Sequence, residues 1–298
     1  MITPPVSTGK TKVFALVGHP VRHSLSPQLH CQLLAHCGID GTYVALDVNP
    51  ASADKVADSI RTLGLTGINL TVPFKEKILP DLDEITLAAR EAGAVNVVIN
   101  LDGHLTGYNT DGEGFLGAIH EEHGFVPQDK KCILLGAGGA ARAIAASLAA
   151  GGARQIILLN RTLSRADTAA NSLKKGLPTC DFQTGVLCSE DFERWSPDSD
   201  LIVNALSGNA NDTVNALSIA ALSSRAIWAD INYWMTTPPQ IQACKNRGLR
   251  VSTGLGMLVH QGALSFELFT GHPVPVTLLH EILNSSPLKQ DPKPADLG

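Results

Sequence analysis

Short apolar runs alternate along the chain with segments whose apolar residues recur at helical spacing. Runs of the first kind predict strands, and segments of the second kind predict helices that cover a sheet. The predicted strands are 13–18, 43–48, 67–72, 132–135, 156–159, 201–204, 227–231 and 249–252. The predicted helices are 27–37, 53–63, 112–123 and 258–270, with an alanine-rich helix after the glycines at 136–139. Such alternation predicts an α/β fold with largely parallel sheets. The segments 94–100 and 104–108 flank Asp102-Gly103 and are predicted to form a hairpin.

A glycine-rich turn follows the predicted strand 132–135. Its residues are Gly136, Ala137, Gly138, Gly139, Ala140 and Ala141. Glycines here let the backbone turn sharply and approach a pyrophosphate, whose charge then meets the amides at the start of the next helix. The turn therefore predicts a dinucleotide site in a Rossmann-type unit.

The end of the next predicted strand is where a site for unphosphorylated NAD usually carries an acid. Here the chain instead has Asn160, Arg161 and Thr162, followed by Arg165. Two guanidinium groups one helical turn apart are placed to hold an added phosphate, which favours NADP over NAD. The alternative is that the two arginines lie on a solvent-exposed helix start and bind no ligand.

The chain has 298 residues, which is room for about two domains. The first group of elements closes near Asn109, and the helix 258–270 is expected to pack back on it. We therefore predict a discontinuous first domain of residues 1–111 and 255–298, and a Rossmann-type domain of residues 112–254.

Charge and cysteine content limit the possible partners. The net charge is −5 without any lysine or arginine block, so neither nucleic acid nor an anionic membrane is predicted as a partner. No apolar run is long enough to span a bilayer, and residues 1–12 lack the apolar core of a secretory signal. The six cysteines show no metal-ligand spacing, so no metal is implied. A cytoplasmic protein with a small-molecule substrate is expected, and the oligomeric state stays open, with a homodimer as one alternative.

Several polar residues of the first domain lie where a ligand could bind. Ser24 and Ser26 precede a helix and could bind a carboxylate, although Ser26 as N-cap and Pro27 as first helical residue would explain Ser26 equally. Asn69 and Thr71 end a predicted strand on the same side. Lys75 follows the rigid Val72-Pro73 step, with a solvated surface charge as the alternative explanation.

Asp111 is the candidate partner of Lys75. It stands in the segment Asn109-Thr110-Asp111 at the predicted junction of the domains, with Asn96 on a preceding strand. An aspartate before a helix is also a favoured N-cap. The two roles are compatible.

Together these segments resemble the shikimate dehydrogenase family, in the order in which that family has them. The matching motifs are His23-Ser24-Leu25-Ser26-Pro27, Asn69-Leu70-Thr71-Val72-Pro73-Phe74-Lys75, Gly93-Ala94-Val95-Asn96, Asn109-Thr110-Asp111, 136–143, Asn160-Arg161-Thr162, and Gly254-Leu255-Gly256-Met257-Leu258 with Gln261. The resemblance covers nearly the whole chain.

The resemblance implies a role for each matching residue. Ser24 and Ser26 would hold the substrate carboxylate, and Lys75 with Asp111 would form the catalytic pair. Ring hydroxyls would be bound by Asn69, Thr71, Asn96 and Gln261, with Tyr233 as a further substrate contact. NADP would be bound by Gly136, Gly138, Gly139, Ala140, Asn160, Arg161, Thr162, Arg165, Gly254 and Met257.

The sequence departs from the family at three places. Leu206 follows Asn204-Ala205 where the family usually has threonine, so the nicotinamide wall is expected to differ. The loop after Tyr233, residues 234–238, reaches its Thr-Pro pair one residue early. Val97 replaces a threonine that commonly follows Gly-Ala-Val-Asn.

The leading hypothesis is reversible NADP-dependent reduction of 3-dehydroshikimate to shikimate, a step toward aromatic amino acids. One alternative is a quinate/shikimate dehydrogenase of broader range. Ser26 favours shikimate, since quinate-active relatives often have threonine at the second serine position. Another alternative is a noncatalytic sensor of NADP or a metabolite, suggested by Leu206 and the shortened loop.

Overall fold

The computed structural model describes residues 7–206, 211–233 and 238–285. Within these ranges the chain divides into two compact units. The first unit consists of 7–90, 94–110 and 259–285, and the second consists of 91–93 with 111–206, 211–233 and 238–258. None of the helices in these ranges is long and apolar enough to cross a membrane.

The first unit is built on a six-stranded mixed sheet. Its strands are β1 (Lys12–Gly18), β2 (Gly41–Asp47), β3 (Gly67–Leu70), β4 (Glu84–Ile85), β5 (Val97–Leu101) and β6 (His104–Tyr108), in the spatial order β2-β1-β3-β5-β6-β4. Strand β1 pairs in parallel with β2 and β3, whereas β5 runs antiparallel to β3 and β6. The predicted hairpin is confirmed, because Asp102 and Gly103 have positive φ values and join paired Leu101 and His104.

Helices of the first half of the chain are α1 (Ser26–His36), α2 (Val56–Leu63), α3 (Phe74–Lys77) and α4 (Leu87–Ala92). The predicted single helix 53–63 is wrong at its start. A 3₁₀ segment, Pro50–Lys55, comes first, and Asn49 accepts a hydrogen bond from the amide of Ala51 at 2.9 Å. Proline and this cap begin the segment early, and Ser52 interrupts the segment itself with non-helical backbone angles.

The second unit is built on a six-stranded sheet that is parallel throughout. Its strands are β7 (Lys131–Leu135), β8 (Gln155–Asn160), β9 (Asp181–Val186), β10 (Leu201–Asn204), β11 (Ile227–Asp230) and β12 (Arg250–Thr253). They lie in the order β9-β8-β7-β10-β11-β12. In sequence this is 3-2-1-4-5-6, the Rossmann order, so the predicted fold class is confirmed.

Helices of the second half are α5 (Asp111–His123), α6 (Gly139–Ala150), α7 (Leu163–Gly176), α8 (Ser189–Trp195), α9 (Asn211–Asn215), α10 (Pro239–Asn246), α11 (Gly254–Thr270) and α12 (Val276–Ser285). The central strands are apolar without alternation because helices cover their faces, and Cys132, Ile133, Leu134 and Leu135 have no exposed surface. Helix α11 begins four residues before the predicted start, at Gly254.

Candidate active site

Asn69 lies at the centre of a buried polar cluster in the first unit. It stands on β3, and its Oδ1 accepts a hydrogen bond from the Tyr43 hydroxyl at 2.8 Å. Its Nδ2 donates to the Asn96 carbonyl and to Ser265 Oγ, at 3.1 Å in each case. Because the amide has two hydrogens and both are used, the orientation of the Asn69 side chain is fixed by the protein itself.

Asn96 and Thr110 extend the same cluster. Asn96 Nδ2 donates to Thr110 Oγ1 at 2.9 Å, and the Thr110 amide donates back to Asn96 Oδ1 at 2.8 Å. Ser265 Oγ donates to the Gln261 carbonyl at 2.8 Å, and Thr110 Oγ1 lies 3.3 Å from the same oxygen. The predicted residues Asn69, Asn96 and Gln261 are therefore brought together. We call Tyr43, Asn69, Asn96, Thr110 and Ser265 the Asn69 cluster.

Thr71 and Lys75 follow β3 on a segment held by main-chain bonds. The Thr71 amide donates to the Val17 carbonyl at 2.9 Å, and the Val95 amide donates to the Lys75 carbonyl at 2.8 Å. Gly18 permits this path, because a Cβ there would lie only 2.2 Å from Thr71 Cγ2. Lys75 is half-buried on α3, and the residue after its main-chain partner Val95 is Asn96.

Ser24 and Ser26 lie together at the start of α1. The helix begins at Ser26, Leu25 occupies the cap position, and no side chain caps the helix. Ser24 Oγ instead accepts a hydrogen bond from the Ser26 amide at 3.2 Å. The interpretation of Ser26 as N-cap is therefore wrong, because the serine two residues earlier turns toward the first helical amide.

Asp111 is the first residue of α5, in the second unit. It is 3% exposed, so its carboxyl group is buried at the positive end of the helix dipole. The preceding residue, Thr110, is fixed by Asn96. Lys75 belongs to the first unit, whereas Asp111 belongs to the second.

The glycine turn follows β7 in the second unit. Gly136 has a φ of 118°, in the region that favours glycine, and its amide donates to the Leu159 carbonyl at 2.7 Å. Gly138 is the cap residue of α6, with no protein atom within 4 Å of the position that a Cβ would take. Gly139 and Ala140 begin the helix, so their amides point toward this open space. The turn therefore fits a pyrophosphate.

The predicted ribose end follows β8. Asn160 Nδ2 donates to the Thr162 carbonyl at 2.9 Å, and Thr162 is the cap residue of α7. Arg161 precedes the helix and Arg165 lies in its first turn, and each side chain is exposed. Two exposed cations beside a helix start fit an additional phosphate group.

Gly254 and Met257 line a shallow depression in the second unit, together with Asp230, Ile231, Ser252 and Thr253. A Cβ on Gly254 would lie 2.0 Å from the Ile231 carbonyl oxygen, so close packing alone demands glycine there. Tyr233 is half-buried three residues after β11. Residues 207–210 lie outside the described residues, and so do residues 234–237, which make up most of the shortened loop after Tyr233.

Several polar residues were missed as site candidates by the sequence reasoning. They are Tyr43, Thr110, Ser265, Asn204, Asp230 and Asn232, all buried. Ser265 stands among apolar residues of α11, and Asp230 ends an otherwise apolar strand. A polar residue inside an apolar run is the signal that would have pointed to them, since burial requires it to have partners.

The chain matches three family models. They are the shikimate dehydrogenase substrate binding domain over residues 16–98, shikimate/quinate 5-dehydrogenase over 121–231, and the shikimate 5′-dehydrogenase C-terminal domain over 254–283. A protein of Alkaliphilus metalliredigens named shikimate dehydrogenase (NADP(+)) is 36% identical, over 93% of this chain and 98% of that protein.

Solved structures with the same architecture include two shikimate 5-dehydrogenases. The enzyme of Listeria monocytogenes, in complex with shikimate and NAD, gives a TM-score of 0.83 at 32% identity, covering 93% of this chain and 98% of that one. The enzyme of Thermus thermophilus, in complex with NADP(H) and shikimate, gives 0.79 at 33%, covering 92% and 99%.

Proposed function

Because the chain belongs to the shikimate dehydrogenase family, we propose that it catalyses the reversible NADP-dependent reduction of 3-dehydroshikimate to shikimate. The observation that carries the proposal is similarity to the Alkaliphilus metalliredigens protein named shikimate dehydrogenase (NADP(+)), which extends over 98% of that protein's length. The motif residues of the family are present on elements that fit their expected roles, apart from the departures at Val97, Leu206 and the loop after Tyr233.

The first unit is the proposed substrate domain, with expected bounds of 1–111 and 255–298. Ser24 and Ser26, together with the amides at the start of α1, suit a carboxylate. The ring hydroxyls are assigned to Asn69, Thr71, Asn96 and Gln261, and Tyr233 is assigned as a further contact. The Asn69 cluster is compatible with this for Asn69, because its two amide hydrogens are bonded within the protein while its Oδ1 keeps a second lone pair that can accept from a hydroxyl.

The second unit, with expected bounds 112–254, is the proposed NADP domain. The pyrophosphate is assigned to Gly136, Gly138, Gly139 and Ala140, and the adenosine ribose with its phosphate to Asn160, Arg161, Thr162 and Arg165. Gly254 and Met257 are assigned to the cofactor because they belong to the family motif Gly254-Leu255-Gly256-Met257-Leu258. When bound, the cofactor supplies the hydride.

Lys75 and Asp111 are the proposed catalytic pair. As the ring ketone becomes a hydroxyl, negative charge develops on its oxygen, and the Lys75 ammonium stabilises that charge or donates the proton. The Asp111 carboxylate orients the ammonium and the substrate hydroxyl. In the reverse direction, the same pair receives the proton from the hydroxyl.

The free cysteines support a cytoplasmic location. All six are unpaired in the structure, and reduced thiols are typical of that compartment. The expectation of a small-molecule substrate agrees with the relatives whose structures contain shikimate.

A panel of two substrates and two cofactors tests the proposal. Purified protein is mixed with shikimate or quinate and with NADP or NAD, and the absorbance of the reduced nicotinamide is followed. We expect the highest kcat/KM with shikimate and NADP. Comparable turnover of quinate would instead establish the broader enzyme, and tight NADP binding without turnover of either acid would establish the sensor.

A further inference from the structure

Three buried polar residues meet at the carboxyl ends of β10 and β11 in the second unit. Asp230 Oδ2 accepts a hydrogen bond from Asn204 Nδ2 at 2.8 Å. Asp230 Oδ1 accepts two bonds from Asn232, from its amide at 2.9 Å and from its Nδ2 at 2.7 Å. All three residues are at most 3% exposed. We call them the Asp230 cluster.

The cluster closes on the backbone of Leu206. Asn232 Nδ2 also donates to the Leu206 carbonyl at 3.0 Å, and the Leu206 amide donates to Asn204 Oδ1 at 3.3 Å. A ring of hydrogen bonds therefore runs from Asp230 through Asn232 and Leu206 to Asn204 and back. It ties together the segments that leave β10 and β11.

The segment that leaves β10 lies at the point where the strand order reverses, and the segment that leaves β11 lies beside it. Strand β10 is the neighbour of β7, whose carboxyl end carries the glycine turn. Leu206 Cδ2 lies 3.2 Å from the position that a Cβ on Gly136 would take, and the Ala205 carbonyl oxygen lies 3.3 Å from it. Dinucleotides bind in doubly wound sheets at this switch point, beyond the strand ends.

The donors that the structure gives to the Asp230 carboxyl group are neutral amides. Burial raises the pKa of this group, while its hydrogen bonds from Asn232 and Asn204 act in the opposite direction. Holding a carboxylate in such a site costs stability that an apolar residue would not cost. This makes a purely structural role a poor explanation of the aspartate.

We propose that Asp230 is a positioning residue for the nicotinamide half of NADP, acting through the Leu206 backbone and the Asn232-Tyr233 segment. The inference rests on the proposed function, since it takes NADP as the cofactor. The Asp230 cluster would thereby fix the backbone beside the nicotinamide ring at Leu206, the position where the family usually has threonine. This role also explains why Asn204 and Asn232 orient their amides toward one carboxylate.

Exchanging the two ends of one hydrogen bond provides a sharp test. In Asp230→Asn, the new Nδ2 faces the Nδ2 of Asn204, so Asn204 must either keep a donor opposite a donor or flip and release the Leu206 amide. The double variant Asn204→Asp with Asp230→Asn restores two bonds, from residue 230 to residue 204 and from the Leu206 amide to residue 204. The Asp at 204 accepts from the Asn at 230 and from Leu206, and the net charge is unchanged.

Binding is measured by calorimetry with NADP and with 2′-phospho-ADP-ribose, which lacks the nicotinamide. For Asp230→Asn we expect about a tenfold higher Kd for NADP and a Kd for the fragment within about twofold, as for loss of one buried hydrogen bond. The double variant should return the NADP Kd to within about threefold of the starting protein. Asp200→Asn is the matched control, because Asp200 accepts the Lys131 amide at 3.0 Å just before β10, at the opposite end of that strand. It should change neither Kd.

Equal weakening of the two ligands by Asp230→Asn would overturn the inference in favour of a structural role, and so would no weakening of either ligand. If this variant does not fold, Asn232→Ser removes the side-chain bonds to Asp230 and Leu206 and should weaken NADP alone. Failure of the unaltered protein to bind NADP would overturn the proposed function instead. Binding of NADP without turnover of shikimate would overturn only the proposed reaction and would leave the positioning test decisive.

Discussion

The two units hold their candidate binding groups in opposite ways. In the first unit the Asn69 cluster is buried, and its side chains bond to one another. At the ribose end of the second unit, Arg161 and Arg165 are exposed at a helix start. The contrast teaches that folding alone orients the amides of Asn69 and Asn96, whereas the Arg161 guanidinium is exposed to solvent and is expected to become ordered when a phosphate binds.

The physical reason is the different cost of placing amides and guanidinium groups. A buried amide must have partners, so a cluster of amides and hydroxyls has one arrangement that satisfies all of them. An arginine keeps its charge in water and loses rotamer freedom only when an anion arrives. Substitutions in the two units should therefore affect different quantities, stability in the first and cofactor choice in the second.

The largest expected effect comes from a residue of the first unit that lies outside the Asn69 cluster. Lys75→Ala removes the proposed proton donor and should lower kcat by about a hundredfold to ten-thousandfold, with NADP affinity within about threefold. Initial rates of shikimate oxidation and calorimetric NADP binding measure the two quantities. Lys77→Ala is the control on the same short helix, because Lys77 is exposed and donates to the Pro50 carbonyl at 3.2 Å. A Lys75→Ala protein with normal kcat would contradict the proposed mechanism.

Asn69→Leu breaks the cluster at its centre. It removes three hydrogen bonds and should lower the free energy of unfolding by about 3 kcal/mol. Urea unfolding measures the change. Asn49→Leu is the control in the same unit, since the side chain of exposed Asn49 accepts the Ala51 amide at the start of a 3₁₀ segment, and its loss should cost about 1 kcal/mol. Equal losses in the two variants would contradict the claim that the buried cluster holds Asn69 more firmly than an exposed cap holds Asn49.

Arg161→Ala sharpens the contrast from the other side. The exposed guanidinium should leave the free energy of unfolding nearly unchanged and raise the Kd for NADP by roughly tenfold or more, because a charge-assisted bond to the phosphate is lost. The Kd for NAD should stay the same. Arg154→Ala, at an exposed position just before β8, is the control with no expected effect on either cofactor. Equal weakening of NAD and NADP would place Arg161 elsewhere in the site.

His30→Phe gives the smallest expected effect and concerns pH. His30 is fully buried, its ring stacks on Tyr43 at 4.4 Å between centroids, and desolvation lowers its pKa to about 3. The unfolded chain therefore binds a proton below about pH 6.5 that the folded chain does not bind. The free energy of unfolding falls as the pH drops below 6.5, because protonation stabilises only the unfolded state. Lowering the pH from about 7.5 to 5.5 should reduce the free energy of unfolding by roughly 1.4 kcal/mol through His30 alone. His30→Phe should abolish this part of the pH dependence. Urea unfolding of the two proteins at the two pH values checks it, and parallel pH profiles would contradict it.

Much of the fold is predictable because burial on both faces leaves a simple pattern. The strands β7, β8 and β10 contain continuous apolar runs, and their bounds agree with the predicted ones to within one residue. Strand β9 was not predicted, because it lies at the sheet edge and mixes exposed and buried residues in Asp181–Val186. Helix α11 begins before its predicted start of 258 although glycine is a weak helix former, because the contact of Gly254 with the Ile231 backbone requires glycine there.

The candidate site was predictable only where a motif exists. Asn69, Thr71 and Asn96 stand in recognisable segments, but Ser265 lies 196 positions from its partner Asn69. Hydrogen bonds across such distances depend on the packing of the sheet against α11, which periodicity does not encode. The ring formed by the Asp230 cluster was missed for the same reason, although Asp230 and Asn232 are only two residues apart.

The most direct test of the account is whether hydride passes straight from substrate to cofactor. Shikimate deuterated at the carbon that bears the oxidised hydroxyl is turned over with NADP, and the reduced cofactor is examined by mass spectrometry. We predict that the deuterium is retained in the reduced nicotinamide, because the proposed reaction transfers hydride between those two carbons. A reduced cofactor without deuterium, or no reduction at all, would contradict the account.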